Sequence, residues 1–347
     1  MVDFLFLGTF KCRQKIQTAL ISLESDLLCN KNDEPIFFEL YCPSINKTTF
    51  IGYSSFTLDN LRNNKSPDSI VNTEIKSENY GVLGMLYINY NTTNKMSFEQ
   101  FIKKGNINLD IAIDYTESNG MPDLHTSLHH LNEKNDYEDA IRSCGKIIAH
   151  YDTDQLFPVY GFGGIPPDKD EVSHCFNINF NDDDPNIKGI DKIIEYYKKS
   201  LNKVKLFGPT YFAPVIKQVI KEIKDDLEKR REENHYYILM ILTDGIISDL
   251  KDTIDCIVEG SNLPLSIVII GIGDADFTNM KELDGDEEAL IDSFGNIRKR
   301  DIVQFVKFDD YKKNNKINSG TELAEEVLRE IPRQVEEYYL FCGQFYE

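Results

Sequence analysis

Residues 107–120 read INLDIAIDYTESNG, and residues 236–245 read YYILMILTDG. Each is a short apolar run that stops at an aspartate, Asp114 in the first and Asp244 in the second. Runs of this kind fit strands buried on both faces, which is the condition of a parallel sheet covered by helices. Working outward, the periodicity predicts strand Ile107–Ile113, helix Tyr137–Tyr151, strand Leu156–Phe162 and a short strand Cys175–Ile178. Helices over Ile187–Val204 and Phe212–Arg230 precede strand Tyr236–Leu242, and helix Leu250–Gly260 precedes strand Leu265–Ile270. A last strand, Ile302–Phe308, is followed by a helix over Thr321–Tyr339. Apolar strands alternating with amphipathic helices predict an α/β domain with a doubly wound, mostly parallel sheet. In such sheets ligands bind beyond the carboxyl ends of the strands, at the point where the strand order reverses.

The residues before this domain have a different rhythm. Pro35–Cys42, Thr49–Leu58 and Gly81–Tyr90 read as strands, and the Asn/Asp/Lys/Ser-rich stretch Asn60–Asn79 reads as a loop. Residues 13–29 fit either a strand or an amphipathic helix. The join falls near Asn91–Gly105, so the expected domains are residues 1–100, all-β, and residues 101–347, α/β.

The chain has 347 residues, is 41% hydrophobic and 28% charged, and carries a formal charge of −20. That composition is globular. The charge excludes broad contact with nucleic acid, which needs a basic stripe to neutralise phosphates. It also repels an anionic membrane unless cations bridge the two. The seven cysteines are widely spaced and form no CxxC pair, which predicts buried free thiols in a reducing compartment. The first residues, MVDFLFLGTFKC, lack the basic n-region of a secretory signal, and no apolar run reaches the ~18–20 residues that span a bilayer. The expected location is cytoplasmic, with any membrane contact peripheral.

The chemistry converges on the strand ends. Asp114, Thr116 and Ser118 stand at alternate positions in one loop, Thr243-Asp244-Gly245 ends a central strand, and Gly208-Pro209-Thr210 puts a hydroxyl in a turn that opens a helix. Carboxylates and hydroxyls are hard oxygen donors, suited to Mg²⁺ or Mn²⁺. Taken singly, Asp114 with Thr116 is equally a strand cap with an Asx-turn, Thr210 an N-cap and Asp244 a turn acid. Their occurrence together at successive strand ends favours a shared site.

This arrangement resembles the metal-ion-dependent adhesion site of von Willebrand factor A domains. The segments AIDYTESNG, LFGPTYFAPVI, HYYILMILTDGIISD and LPLSIVIIGIGDADF resemble copine A domains in the same order, and the likeness runs from about Asn106 to about Tyr339. The resemblance implies metal ligands Asp114, Thr116, Ser118, Thr210 and Asp244, with the hydroxyls binding directly and the carboxylates partly through water. It also implies a non-enzymatic adaptor that recruits a partner protein through an acidic residue completing the ion's coordination. Copines carry C2 domains ahead of this module, which bind phospholipid in a calcium-dependent way, and FIGYSSFTL (50–58) resembles late strands of such a domain. Where that fold supplies an Asp-x-Asp pair this chain reads Pro43-Ser-Ile-Asn-Lys-Thr-Thr49. The first domain is therefore expected to be a partial or degenerate C2, with weak or calcium-indifferent binding to a phospholipid surface such as the plasma membrane.

Other signals are weaker. His125, His129 and His130 lack the glutamate of the metalloprotease pattern, which predicts a structural role. Gly161-Phe-Gly163 and Gly271-Ile-Gly273 lack the third glycine of a dinucleotide loop. The acidic runs 182–184 and 284–288 read as solvated loops. Two enzymatic readings compete with the adaptor. Mg²⁺-dependent phosphotransfer through Asp114 needs a basic residue at the strand ends, and the sequence offers none there. A ubiquitin ligase of the copine-like plant type needs RING cysteine and histidine pairs, which this sequence lacks.

Overall fold

The computed structural model describes residues 2–8, 20–23, 35–44, 47–57, 70–77, 81–92, 97–149, 151–167, 169–230, 234–285, 289–312 and 319–342. The chain divides into two compact units, one up to Lys95 and one over Met96–Gln344.

The first unit contains strands β1 (Val2–Gly8), β2 (Leu20–Leu23), β3 (Pro35–Ser44), β4 (Lys47–Thr57), β5 (Ile70–Ser77) and β6 (Gly81–Thr92). They form one antiparallel sheet in the order β2-β1-β6-β5-β4-β3. Ser54 and Thr73 tie β4 to β5: the Ser54 hydroxyl donates to the Glu74 carbonyl at 2.9 Å, and that of Thr73 to the Ser55 carbonyl at 3.0 Å. Strand β5 corrects the expected loop over Asn60–Asn79, because eight of those residues pair with β6. Residues 60–69, 78 and 79 of that stretch lie outside the described residues, as does most of the undecided segment 13–29.

The second unit is built on β7 (Asn106–Asp114), β8 (Leu156–Phe162), β13 (His235–Thr243), β14 (Leu265–Gly271) and β15 (Val303–Lys307). These run parallel in the order β8-β7-β13-β14-β15. Short strands β10 (Phe176–Asn177) and β11 (Asn186–Lys188) add antiparallel to β8, and β9 (Gly164–Ile165) pairs with β12 (Lys205–Leu206). The sheet is thus mostly parallel, as expected. All nine residues of β13 are buried. A buried Leu or Ile side chain contributes about 1.5–3 kcal/mol, so this strand anchors the unit. On one face Ala112, Leu239, Ile241, Ile267 and Ile269 pack against the helices Ala213–Lys229 and Leu250–Gly260. On the other, the Ser266 hydroxyl donates to Gln334 and Tyr339 donates to the His235 carbonyl, which seats the helix Ile331–Phe341.

Two expected helices are corrected. The helix expected over Ile187–Val204 runs from Ile190 to Leu201, because Asn186–Lys188 is drawn into the sheet by β8 and Gly189 turns the chain at φ +80°. The helix expected over Thr321–Tyr339 is two, Ser319–Leu328 and Ile331–Phe341, with Pro332 in the first turn of the second. Proline has no N–H to continue a preceding helix and is tolerated in a first turn. The helices Phe98–Lys104 and Thr278–Asp284 were not anticipated. Among the described residues no helix is long and apolar enough to cross a membrane. Cys144 and Cys256 are buried free thiols as expected, whereas the free thiols Cys175 and Cys342 are half-buried and exposed.

Candidate metal centre

Strands β7 and β13 are neighbours in space, yet their outgoing connections travel in opposite directions across the sheet, one to β8 and the other to β14. This reversal opens a crevice at the carboxyl ends of those two strands. Asp114 ends β7, Thr243 ends β13, and Asp244 follows immediately after it.

The side chains there form one hydrogen-bonded network. Thr116 donates to Asp114 Oδ1 twice, from its backbone N–H at 2.8 Å and from its hydroxyl at 2.6 Å. Its Oγ1 lies 2.9 Å from Ser118 Oγ, and Ser118 donates to Asp244 Oδ1 at 2.9 Å. Two residues outside the predicted set complete it. The Thr243 hydroxyl donates to Asp114 Oδ2 at 2.6 Å, and Asn119 Nδ2 donates to Asp244 Oδ1 at 2.9 Å. Asn119 is aimed in turn by the Tyr137 hydroxyl, which donates to its Oδ1 at 2.7 Å.

Thr210 reaches the same place by a different route. Phe207 pairs with the loop after β7, accepting from the Glu117 N–H at 2.7 Å and donating to the Tyr115 carbonyl at 3.2 Å. On the other side the Ser248 N–H donates to the Thr210 carbonyl at 2.9 Å, and the Asp249 carboxylate caps the N–H groups of Phe212 and Ala213 at 3.0 and 2.9 Å. These tethers seat the Thr210 hydroxyl against Gly245, where a Cβ would lie 2.6 Å from Oγ1. Among the described residues no hydrogen bond links that hydroxyl to the other four predicted side chains. Gly163 serves the opposite wall. Its φ of +75° suits glycine, and a Cβ there would come within 2.4 Å of Thr116 Cγ2. All five predicted residues are therefore gathered at one site, four through hydrogen bonds and Thr210 through packing.

Asp114 is fully buried and Asp244 is 6% exposed. Burial pushes both carboxyls up, Asp244 to about 7 with the neighbouring Asp114 charge adding to the effect, while the hydroxyl donors oppose the rise. Among the described residues no lysine or arginine hydrogen-bonds or ion-pairs with either carboxylate. Two like charges held at depth are the setting a bound cation relieves. The donor set is all oxygen and suits a hard divalent ion. A hydroxyl that donates its proton to a carboxylate keeps lone pairs free. Thr116 and Ser118 are thus equipped to face an ion while staying bonded to the carboxylates. Among the described residues no group of three or more His, Cys, Asp or Glu side chains is placed to hold a metal, so the hydroxyls are essential to any such site here.

His129 braces the site from behind. It is buried, with Nε2 at 2.8 Å from the Asp114 carbonyl and Nδ1 at 2.7 Å from the Tyr197 hydroxyl. Burial pushes its pKa down to about 3, so the ring is neutral, with Nε2–H donating to the carbonyl. This is the structural role its sequence context predicts. His125 is exposed and His130 bonds the Ser127 carbonyl, so neither reaches the carboxylates.

Comparisons with known proteins bear on the family. Copine-A of Dictyostelium discoideum is 39% identical over 90% of this chain. The match takes in 52% of that protein, so the chain spans about half the length of this curated relative. Among solved structures, manganese-loaded TRAP protein of Plasmodium vivax is 10% identical, with a TM-score of 0.35 over 63% of this chain and 71% of that one. Proximal thread matrix protein 1 from the mussel byssus, with a zinc-occupied MIDAS motif, is 16% identical, with a TM-score of 0.30 over 69% of this chain and 46% of that one. The copine family model matches residues 127–343. That span exceeds half of the sequence, and the chain belongs to the copine family.

Proposed function

We propose that the crevice between β7 and β13 binds a divalent cation, Mg²⁺ or Mn²⁺, and that the chain acts through it as a non-enzymatic adaptor. Thr116, Ser118 and Thr210 supply hydroxyl oxygens, and Asp114 and Asp244 supply carboxylates, partly through water. A partner protein completes the coordination with an acidic side chain. The observation that carries this reading is the network joining Asp114 to Asp244 through Thr116 and Ser118, two desolvated carboxylates with no basic side chain bonded to either. The same observation disfavours phosphotransfer through Asp114, because a transferred phosphoryl group needs a lysine or arginine beside it.

The β-rich first unit is, in this reading, a degenerate C2-like domain ending near residue 100, with lipid binding that is weak or indifferent to Ca²⁺. The protein would work in the cytoplasm and visit the plasma membrane only peripherally. Calorimetric titration of Mg²⁺, Mn²⁺ and Ca²⁺ into the whole chain tests the metal site. One saturable site for Mg²⁺ or Mn²⁺ is expected. An absence of heat with all three ions, or titrations unchanged in Asp114→Ala, would overturn the reading. Incubation with phosphoesters should give neither turnover nor a labelled Asp114.

A further inference from the structure

At the opposite end of the sheet, on the face covered by the helix Ala213–Lys229, lies a cavity of about 390 Å³. Five carboxylates line it: Asp110 from β7, Asp154 from the loop before β8, and Glu222, Asp225 and Asp226 from the helix. Two of them are fixed by phenols. The Tyr160 hydroxyl donates to both oxygens of Glu222 at 2.7 and 2.8 Å, and the Tyr237 hydroxyl donates to Asp226. Arg230 Nε is also committed to Asp226 at 3.0 Å, and Lys229 stands on the exposed rim.

Asp110 is different. It is 4% exposed, lines the cavity, and among the described residues no hydrogen bond or ion pair reaches its carboxyl. The side chain as a whole is more than nine-tenths buried, and its oxygens open only into the cavity. The charges facing it are of like sign. Burial, Glu222 and Asp152 all push its carboxyl well above the ordinary range. The strand alternation that makes β7 a core strand puts Asn108, Asp110 and Ala112 on this face. A carboxyl so buried, open to the cavity and bonded to no side chain among the described residues, points to a ligand of opposite charge.

We propose that this cavity binds an alkylammonium ligand, with one ammonium seated on Asp110 and the alkyl chain against Leu156, Pro158 and the Tyr237 ring. An ammonium brings three donors to a carboxylate that has none. The exposed Asp154 and Asp225 at the mouth suit a second ammonium on the same chain. The site is not shaped for a bare metal ion, since no three acidic side chains among the described residues converge closely enough to hold one. It is also independent of the crevice at Asp114, from which it is separated by the upper half of β7.

Calorimetry on the whole chain in 0.15 M NaCl, which screens non-specific attraction to an acidic surface, provides the test. The probes are 1,5-diaminopentane, Nα-acetyl-lysine methylamide, and Ca²⁺ alone. The diamine should bind one site, at least tenfold more weakly in Asp110→Asn and several-fold more weakly in Asp225→Asn, with the exposed control Glu133→Gln unchanged. A lysine derivative that matches the diamine would identify a partner's lysine as the source of the ammonium. A much weaker one would identify a free diamine, and both results support the site. The proposal is overturned if the diamine binds a folded Asp110→Asn as it binds the wild type. It is also overturned if the diamine gives no heat, or if Ca²⁺ alone shows the Asp110 dependence. Should Asp110→Asn fail to fold, Asp225→Asn carries the test, and an unchanged affinity there refutes the site.

Discussion

Asp244→Asn is the most discriminating perturbation of the crevice because it removes a charge and little else. Asparagine keeps an acceptor oxygen, so the bonds from Ser118 Oγ and Asn119 Nδ2, both 2.9 Å, survive. Without metal the variant should be at least as stable as the parent, since one of two desolvated like charges is gone. With metal the two proteins should separate. A ligand at 100 times its Kd stabilises the folded state by about 2.7 kcal/mol. For a domain of this size each kcal/mol raises Tm by about 2–4 °C, so saturating Mg²⁺ should raise the wild-type melt by roughly 5–10 °C. The same Mg²⁺ should leave Asp244→Asn within about 1 °C of its metal-free value. Paired thermal melts with EDTA and with Mg²⁺ measure both. An equal Mg²⁺ shift in parent and variant would refute the assignment of Asp244, and with it the crevice as the site of the ion.

Gly245→Ala places a methyl group 2.6 Å from Thr210 Oγ1 and must displace that hydroxyl. Mg²⁺ affinity measured by calorimetry should fall about tenfold, the equivalent of some 1.4 kcal/mol, with the fold retained by circular dichroism. Tyr137→Phe removes the donor that aims Asn119, and urea melts should show a loss of about 1 kcal/mol. Asp110 governs a pH effect. Its folded pKa lies well above the unfolded value of 3.8, so the folded state holds a proton that the unfolded state has released. Stability therefore falls as pH rises above about 4, by up to about 1.4 kcal/mol per unit, until the folded pKa is passed. Urea melts at several pH values should show this slope in the parent and a flatter one in Asp110→Asn, and parallel curves would refute it.

Much of the second unit was legible because its signals are local. The helix Leu250–Gly260 and strands β8 and β14 lie where periodicity puts them, to within a residue. The misses differ in cause. Asn186–Lys188 looks helical in isolation but pairs with β8, so tertiary pairing overrides propensity. Strand β5 pairs with β6, which follows it directly in a hairpin, and its short alternation is hidden inside a polar stretch. The helix Phe98–Lys104 did carry a readable signal, the capping box of Ser97 and Gln100.

Sequence alone determined the residue types at the crevice, since an aspartate at the end of an apolar run and hydroxyls at alternate positions are visible in one dimension. It also determined the formal charge of −20. Only the tertiary structure decided that residues 114, 210 and 244 meet, that Asn119, Thr243 and His129 hold them, and that Asp110, midway along the same strand, is buried with no hydrogen bond or ion pair among the described residues. The physical reason is that convergence depends on which strands are neighbours, and hydrogen bonds between residues more than a hundred positions apart leave no local pattern.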